Sequence, residues 1–213
     1  MRKGSRAAVQ TPLCHNSQMI KGTTRARTYR AIYRLLDRVS PVPFDCGMIC
    51  GAACCTAIGE EDMGIYLLPG EEKIHDRHAD WLTWNTQSTE EYFFPESWHG
   101  NVHWVRCNEP PHCPREMRPI QCRTFPLSPH LTEDDELIMV WNDDELPYLC
   151  PMIEDEVELD PDFIKATHTV WKHLIRDPLI YDLVKADSQV RTEGALAVTG
   201  EPSADDEAEW VEI

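Results

Sequence analysis

Four of the nine cysteines in this chain lie within ten residues, and they are the clearest chemical signal in the sequence. They are Cys46, Cys50, Cys54 and Cys55, separated only by small or apolar residues. Gly47 and Gly51 each follow a cysteine, and glycine allows the sharp turns and close backbone approach that a ligand loop needs. Thiols grouped in this way predict a metal or iron–sulfur site.

Four further cysteines are spread over the next hundred residues: Cys107, Cys113, Cys122 and Cys150. Eight thiols could fill two four-coordinate sites, or they could hold one cluster with the remainder nearby. We predict all eight as metal ligands, for an iron–sulfur cluster or zinc. The ninth cysteine, Cys14, is predicted to have no such role.

The vicinal pair Cys54–Cys55 separates the one-metal and two-metal alternatives. Successive side chains diverge, so the pair either reaches two different metals or leaves one thiol free for redox chemistry. A strained vicinal disulfide is a third alternative. Along a straight helix, Cys46 and Cys54 would lie about 12 Å apart, whereas zinc–sulfur bonds measure about 2.3 Å. A single metal therefore requires the loop to fold back.

Two motifs, Cys-x3-Cys-x3-Cys-Cys at residues 46–55 and R-P-I-Q-C-R-T-F-P at residues 118–126, resemble the YkgJ-like cysteine-cluster family. That family is described as a zinc- or iron-chelating domain, often with an iron–sulfur cluster. The resemblance covers roughly residues 44–151 and gives all eight predicted ligands a counterpart. The family's first group is usually Cys-x2-Cys-x2-Cys-Cys, so each gap here is one residue longer.

The clustered thiols, together with the resemblance, lead to three functional hypotheses. The leading one is an iron–sulfur protein with a redox or electron-transfer role. The second is a zinc-stabilised binding module without catalysis. The third is a metal-dependent modifying enzyme related to lysine N-methylases, although no segment can be assigned to S-adenosylmethionine. The sequence leaves open whether the protein is an enzyme.

Other polar residues near the cysteines have competing interpretations. His103, His112 and His130 could each replace a cysteine as ligand, although an ordinary surface histidine is the more common case. Arg118 and Arg123 flank Cys122, where they could offset the negative charge of a thiolate-rich cluster or pair with surface acids.

The charge distribution narrows the choice of partners. The net charge is −17, but residues 1–44 hold nine Lys/Arg against one acid, which leaves −25 for the remainder. An acidic body makes nucleic acid an unlikely partner.

The chain shows no signal-peptide pattern and no apolar run of about 20 residues, so we predict a cytoplasmic protein with no membrane contact. A protein partner of unidentified kind is left open. Met19 and the residues that follow it resemble the start of a protein, so Met19 is a candidate for the natural initiator methionine.

The spacing of apolar residues and the positions of proline and glycine predict an α+β fold. We expect a small metal-centred domain with short strands, flanking helices and much irregular structure. Helices are predicted at Arg25–Val39, Glu71–Trp84, Pro161–Arg176 and Pro178–Val190, and strands at 64–68, 92–94, 102–105 and 136–141. Six prolines make residues 108–130 irregular. We predict a flexible arm at 1–22, the cysteine-cluster domain at 23–191 and a disordered acidic tail at 192–213.

Overall fold

The structure, a computed structural model, describes residues 18–56, 64–108, 112–142, 146 and 148–199. Most of the predicted arm, Cys14, and the predicted tail from residue 200 lie outside the described residues. The described part contains helices and two small antiparallel sheets, so the α+β prediction is confirmed at that level.

The α-helices and β-strands alternate irregularly along the chain. The helices are α1 (Ala26–Leu36), α2 (Gly47–Cys50), α3 (Ala53–Thr56), α4 (Ile120–Thr124), α5 (Pro151–Glu154), α6 (Pro161–Leu174) and α7 (Pro178–Thr199). The strands are β1 (Ile65–Tyr66), β2 (Leu82–Ser88), β3 (Asn101–Cys107), β4 (Leu127–Leu131) and β5 (Leu137–Trp141).

The first sheet has the strand order β1-β3-β2, with both pairs antiparallel. The predicted helix Glu71–Trp84 is wrong, because only Glu71–Ile74 forms a short 3-10 helix and the chain then enters β2. All seven residues of β2 pair with β3, and Trp84 lies opposite Val105. Threonine and tryptophan suit a paired, half-buried strand, so this pairing overrides the helical spacing.

The second sheet pairs β4 with β5, and Pro129 lies opposite Met139. The segment predicted to be irregular, residues 108–130, therefore includes one strand and the single turn α4 as well as loops. A proline is tolerated in a strand at a sheet edge, and β4 is such an edge. The strand predicted at residues 92–94 does not form.

The main hydrophobic core lies where α1, α6 and α7 meet the β4–β5 sheet. Tyr29, Phe163, Leu174 and Ile180 are fully buried there, and Met139 is 1 % exposed. A separate small cluster of Leu67, Leu82 and Val105 supports the first sheet. The fold is thus built on apolar packing that lies largely outside the cysteine segments.

The two long C-terminal helices begin at prolines, as predicted. The Asp160 carboxylate caps α6 by accepting the Asp162 N–H at 2.8 Å. Helix α7 continues to Thr199, so the tail boundary predicted at residue 192 falls inside a helix. No helix among the described residues combines the length and the apolar character needed to cross a membrane.

Candidate metal site

The first cysteine loop turns back sharply after the single turn of α2. Cys46 and Cys50 are four residues apart across the single turn of α2, a spacing that places side chains on one helix face. Gly51 and Ala52 then take φ angles of 63° and 58°, in the left-handed region. The Ala52 N–H donates to the Gly47 carbonyl at 2.9 Å and closes the turn.

Five of the eight predicted ligands line one cavity of about 450 Å³ between the two sheets: Cys54, Cys55, Cys107, Cys113 and Cys122. They come from α3, from the end of β3, and from the proline-rich segment with its helix α4. The strand predicted at residues 102–105 is confirmed, and β3 extends it to Cys107. Segments about seventy residues apart thus present thiols to the same space.

The vicinal pair Cys54–Cys55 lies on this cavity with its two thiols in contact. The Sγ atoms are 3.9 Å apart, and both residues are free thiols. The hydrogen bond between them lowers the pKa of the Cys55 thiol, with Arg118 acting in the same direction. The same hydrogen bond raises the pKa of Cys54. Sharing one hydrogen bond therefore favours loss of a single proton from the pair.

The two arginines beside Cys122 have different roles. Arg118 donates its Nε–H to the Cys113 Sγ at 2.9 Å, so its charge is directed at the thiols. Arg123 instead pairs with Asp37 and lies over the Tyr33 ring. The pairing of an arginine with a surface acid is thus confirmed for Arg123, whereas the role of Arg118 beside a cluster stays a prediction.

Helix α4 is held in place by a buried glutamate that the sequence analysis placed in the first turn of a helix. Glu71 is fully buried, and its Oε1 accepts the Ile120 N–H at 2.8 Å, at the start of the helix that carries Cys122. It also accepts the Leu68 N–H at 3.0 Å and the Tyr33 hydroxyl at 2.6 Å. Burial raises the pKa of Glu71, and these three hydrogen bonds oppose that rise.

The other three cysteines, Cys46, Cys50 and Cys150, form a second group outside the cavity lining. Cys46 and Cys150 contact the main core, and burial raises the pKa of both thiols. Cys50 lies close enough to each of them to raise those pKa values further. Because Cys46 also interacts electrostatically with Cys54, the two groups are neighbours.

In the part of the chain that is described, no three His, Cys, Asp or Glu side chains already surround one point as metal ligands. The donor set nevertheless fits a thiolate-bound metal, because several sulfurs and a guanidinium face one cavity. Soft thiolate ligands select zinc and iron–sulfur clusters over hard cations. The metal and the ligand set stay predictions.

The histidines named as alternative ligands do not line the cavity. The His103 Nε2 accepts a hydrogen bond from Arg77, and the His130 Nδ1 lies 3.1 Å from an Arg191 nitrogen. His112 is exposed. Of the residues predicted as metal ligands, only cysteines line the cavity.

The apolar lining of the cavity was not predicted as part of the site. It includes Trp81, Phe125, Trp171, Leu183 and Val184. In sequence these apolar residues are indistinguishable from ordinary core positions of a strand or helix. Three of them, Trp171, Leu183 and Val184, reach the cavity from α6 and α7, which pack against β4.

No protein-family model, curated protein or solved structure matches this chain. The resemblance to the YkgJ-like family therefore stays a prediction that rests on the two cysteine-containing motifs. The function has to be argued from the site itself.

Proposed function

We propose that this protein holds an iron–sulfur cluster and acts in redox or electron-transfer chemistry. The observation that carries the proposal is the gathering of five thiols, from three separate segments, on one cavity of about 450 Å³. When bound, such a cluster supplies one-electron transfer.

The number of thiols on the cavity favours a cluster over a single ion. A tetrahedral zinc ion takes four ligands, whereas five cysteines line this cavity. A polynuclear centre is held by several thiolates. The Arg118 guanidinium, directed at Cys113, supports this assignment because it offsets part of the negative charge of a thiolate-rich centre.

The distribution of the hydrophobic core supports a redox role over a purely structural one. Residues from α1, α6 and α7 bury a large apolar cluster that does not depend on the cavity cysteines. A structural zinc is typical of small domains that cannot fold without it. In this protein Trp81 and Trp171 would shield the centre from water, while the cysteines and Arg118 would bind and tune it.

Zinc is a second candidate, and one observation favours it. Cys46, Cys50 and Cys150 lie outside the cavity, next to the main core, and Cys50 is near enough to the other two to raise the pKa of each. Three thiols with one further ligand are a common structural zinc set. A two-site protein, with zinc at this group and a cluster in the cavity, is consistent with the division of the cysteines.

Metal and sulfide analysis of protein purified without oxygen tests the proposal. We expect iron and acid-labile sulfide in similar amounts, together with the visible absorption of an iron–sulfur cluster. Cys122→Ser should remove most of the iron, whereas Cys50→Ser should leave the cavity centre largely intact.

The matched control is Cys14→Ser, which changes the one cysteine not predicted as a ligand and should leave the metal content unchanged. Colourless protein with stoichiometric zinc and no sulfide would contradict the cluster. Full iron content in Cys122→Ser would contradict the assignment of the cavity as its site.

A further inference from the structure

Helices α1 and α6 pack against each other over the main core and run antiparallel. At one end of the pair, the Asp177 carboxylate after α6 accepts the Thr24 N–H before α1 at 2.7 Å. At the other end, the Asp160 N–H before α6 donates to the Pro41 carbonyl after α1 at 2.9 Å. Hydrogen bonds at both ends therefore hold the two helices side by side.

Helix α1 has a basic face opposite its buried face. Its buried residues are Tyr29, Ile32, Tyr33 and Leu36. Arg27, Arg30 and Arg34 are exposed, and their spacings of three and four residues place them on one side of the helix. At about 3.6 residues per turn, that side points away from the buried one. The helix contains no acidic residue, so its outer surface is a row of three positive charges.

Helix α6 carries a second basic row. Lys165 and Lys172 are exposed on the same side of this helix, and exposed Arg176 follows two residues after its end. Residues 163–176 contain no acid. Because the two helices lie side by side over one core, their outward rows adjoin. We call the six residues of these rows the α1–α6 surface: Arg27, Arg30, Arg34, Lys165, Lys172 and Arg176.

The charges of the α1–α6 surface are not balanced within the described part of the chain. None of its six side chains forms an ion pair or a hydrogen bond with another described residue. Of the acids that flank the two helices, Asp160 and Asp177 accept backbone N–H groups and Asp37 pairs with Arg123. Asp162 lies in the first turn of α6, at one end of the surface. Like charges that cluster without partners repel one another, and an anionic partner would remove this repulsion.

The dimensions of the α1–α6 surface restrict the kind of anion that fits it. Lys165 and Arg176 lie about 17 Å apart along the axis of α6, which matches about five residues of an extended peptide. The protein as a whole has a net charge of −17. A nucleic-acid duplex or a membrane would reach beyond the surface and meet repulsion from the acidic remainder of the protein. A short anionic segment would contact the basic rows alone.

We propose that the α1–α6 surface binds a short acidic segment of a partner protein. Arginine suits this role because its planar guanidinium binds a carboxylate through two parallel hydrogen bonds. In the complex, the carboxylates of the segment pair with the two basic rows. Opposite charge on the two surfaces also speeds the encounter with the partner at low ionic strength.

Fluorescence anisotropy of a labelled peptide of about six glutamates, titrated with the full-length protein, tests the proposal, since this length matches the surface. We expect saturable binding that weakens as salt is added. Arg30→Glu combined with Lys172→Glu should weaken the binding by about tenfold, because two attractive ion pairs become repulsive. Both positions are exposed, so the helical circular dichroism of this variant should match that of the wild type. The matched control is Lys185→Glu on α7, which makes the same change of charge outside the surface and should bind as the wild type does.

Equal binding by the double variant and the wild type would overturn the proposal, as would tighter binding of a short DNA duplex or of phosphatidylserine vesicles. Self-association of the wild type that the double variant loses would overturn it in favour of a second copy of this chain. The protein's own C-terminal acids are tested by neutralising Asp205, Asp206, Glu207 and Glu209 in the full chain. Peptide binding that appears only in that variant would assign the surface to this segment and overturn the partner protein. No readout depends on metal content, so failure here leaves the proposed cluster untouched.

Discussion

At the scale of single residues, Glu71 is unusual because a glutamate side chain is seldom fully buried. A fully buried carboxylate needs several donors to offset its desolvation, and Glu71 has Tyr33, Leu68 and Ile120. These three partners belong to α1, the loop before the 3-10 helix, and α4. One side chain thus connects the N-terminal helix to the segment that presents Cys122.

Replacing this residue tests that connection. Glu71→Gln puts an amide group where an oxygen accepted a backbone N–H, so one buried donor loses its acceptor. We expect the free energy of unfolding to fall by about 1–3 kcal/mol, measured by urea denaturation. The matched change Glu72→Gln, at the next and partly exposed position, should stay within about 0.5 kcal/mol of the wild type. Equal effects of the two changes would contradict the role of Glu71.

The buried histidines predict how stability depends on pH. Histidine in an unfolded chain has a pKa of about 6.5, whereas His75 and His103 have pKa values of about 4 in the fold. Between these values the unfolded state binds more protons. The contribution of each buried histidine to the free energy of unfolding is therefore fully present above pH 6.5. It falls by roughly 1.4 kcal/mol per pH unit as the pH approaches 4.

Urea unfolding of the wild type at pH 7 and pH 5 measures this loss, and His75→Gln and His103→Gln provide the comparison. Each variant should show a shallower decrease in unfolding free energy over the same interval, whatever its stability at pH 7. An unchanged slope in both variants would show that other groups dominate the acid sensitivity.

At the scale of elements, the reversal after α2 depends on backbone geometry more than on side-chain contacts. Gly51 has a φ of 63°, and a Cβ atom added there would meet nothing within 4 Å. A substitution at this position therefore measures backbone strain alone. Gly51→Ala should destabilise the protein by about 1 kcal/mol, because L residues with a side chain disfavour the left-handed region.

Gly194 is the matched control for that change. It lies within α7, and a Cβ atom added there also meets nothing within 4 Å. Gly194→Ala should be neutral or stabilise the protein by up to about 1 kcal/mol, because alanine favours a helix. The midpoint of thermal unfolding should therefore fall for Gly51→Ala and should rise or stay unchanged for Gly194→Ala. A loss of stability at position 194 alone would contradict this account.

The elements also show where sequence reasoning succeeds and where it fails. Local signals predicted the proline-initiated helices, the turn at Gly51 and the strand that delivers Cys107. The helix predicted at Glu71–Trp84 fails because the pairing of β2 with β3 is a tertiary effect. Spacing alone could not separate the five cavity cysteines from Cys46, Cys50 and Cys150, because that division depends on how the two sheets face each other.

At the scale of the whole molecule, the main core and the cysteine cavity are adjacent. We expect apolar packing to stabilise the core and metal binding to stabilise the cysteine segments. The core buries large apolar residues such as Tyr29 and Phe163, whereas the cavity thiols lie in loops, in short helices and at the end of β3. Metal-binding energy in such a protein should order the cysteine segments more than the core.

Removing the metal tests this division. After chelation under anaerobic conditions, we expect most of the helical circular dichroism to persist, and amide hydrogen exchange to accelerate mainly in residues 46–55 and 112–124. Hydrogen exchange of α6 and α7 serves as the internal control. Cooperative loss of helix on chelation would instead favour the zinc-stabilised module.

The contacts of Arg123 link α1 to the turn that carries Cys122. Arg123 pairs with Asp37 at the end of α1 and donates to the Tyr33 carbonyl at 3.2 Å, while Tyr33 reaches Ile120 through Glu71. Two independent linkages therefore fasten the basic N-terminal helix to the turn that carries Cys122. We therefore expect a molecule that displaced α1 to alter the position of Cys122 without entering the cavity.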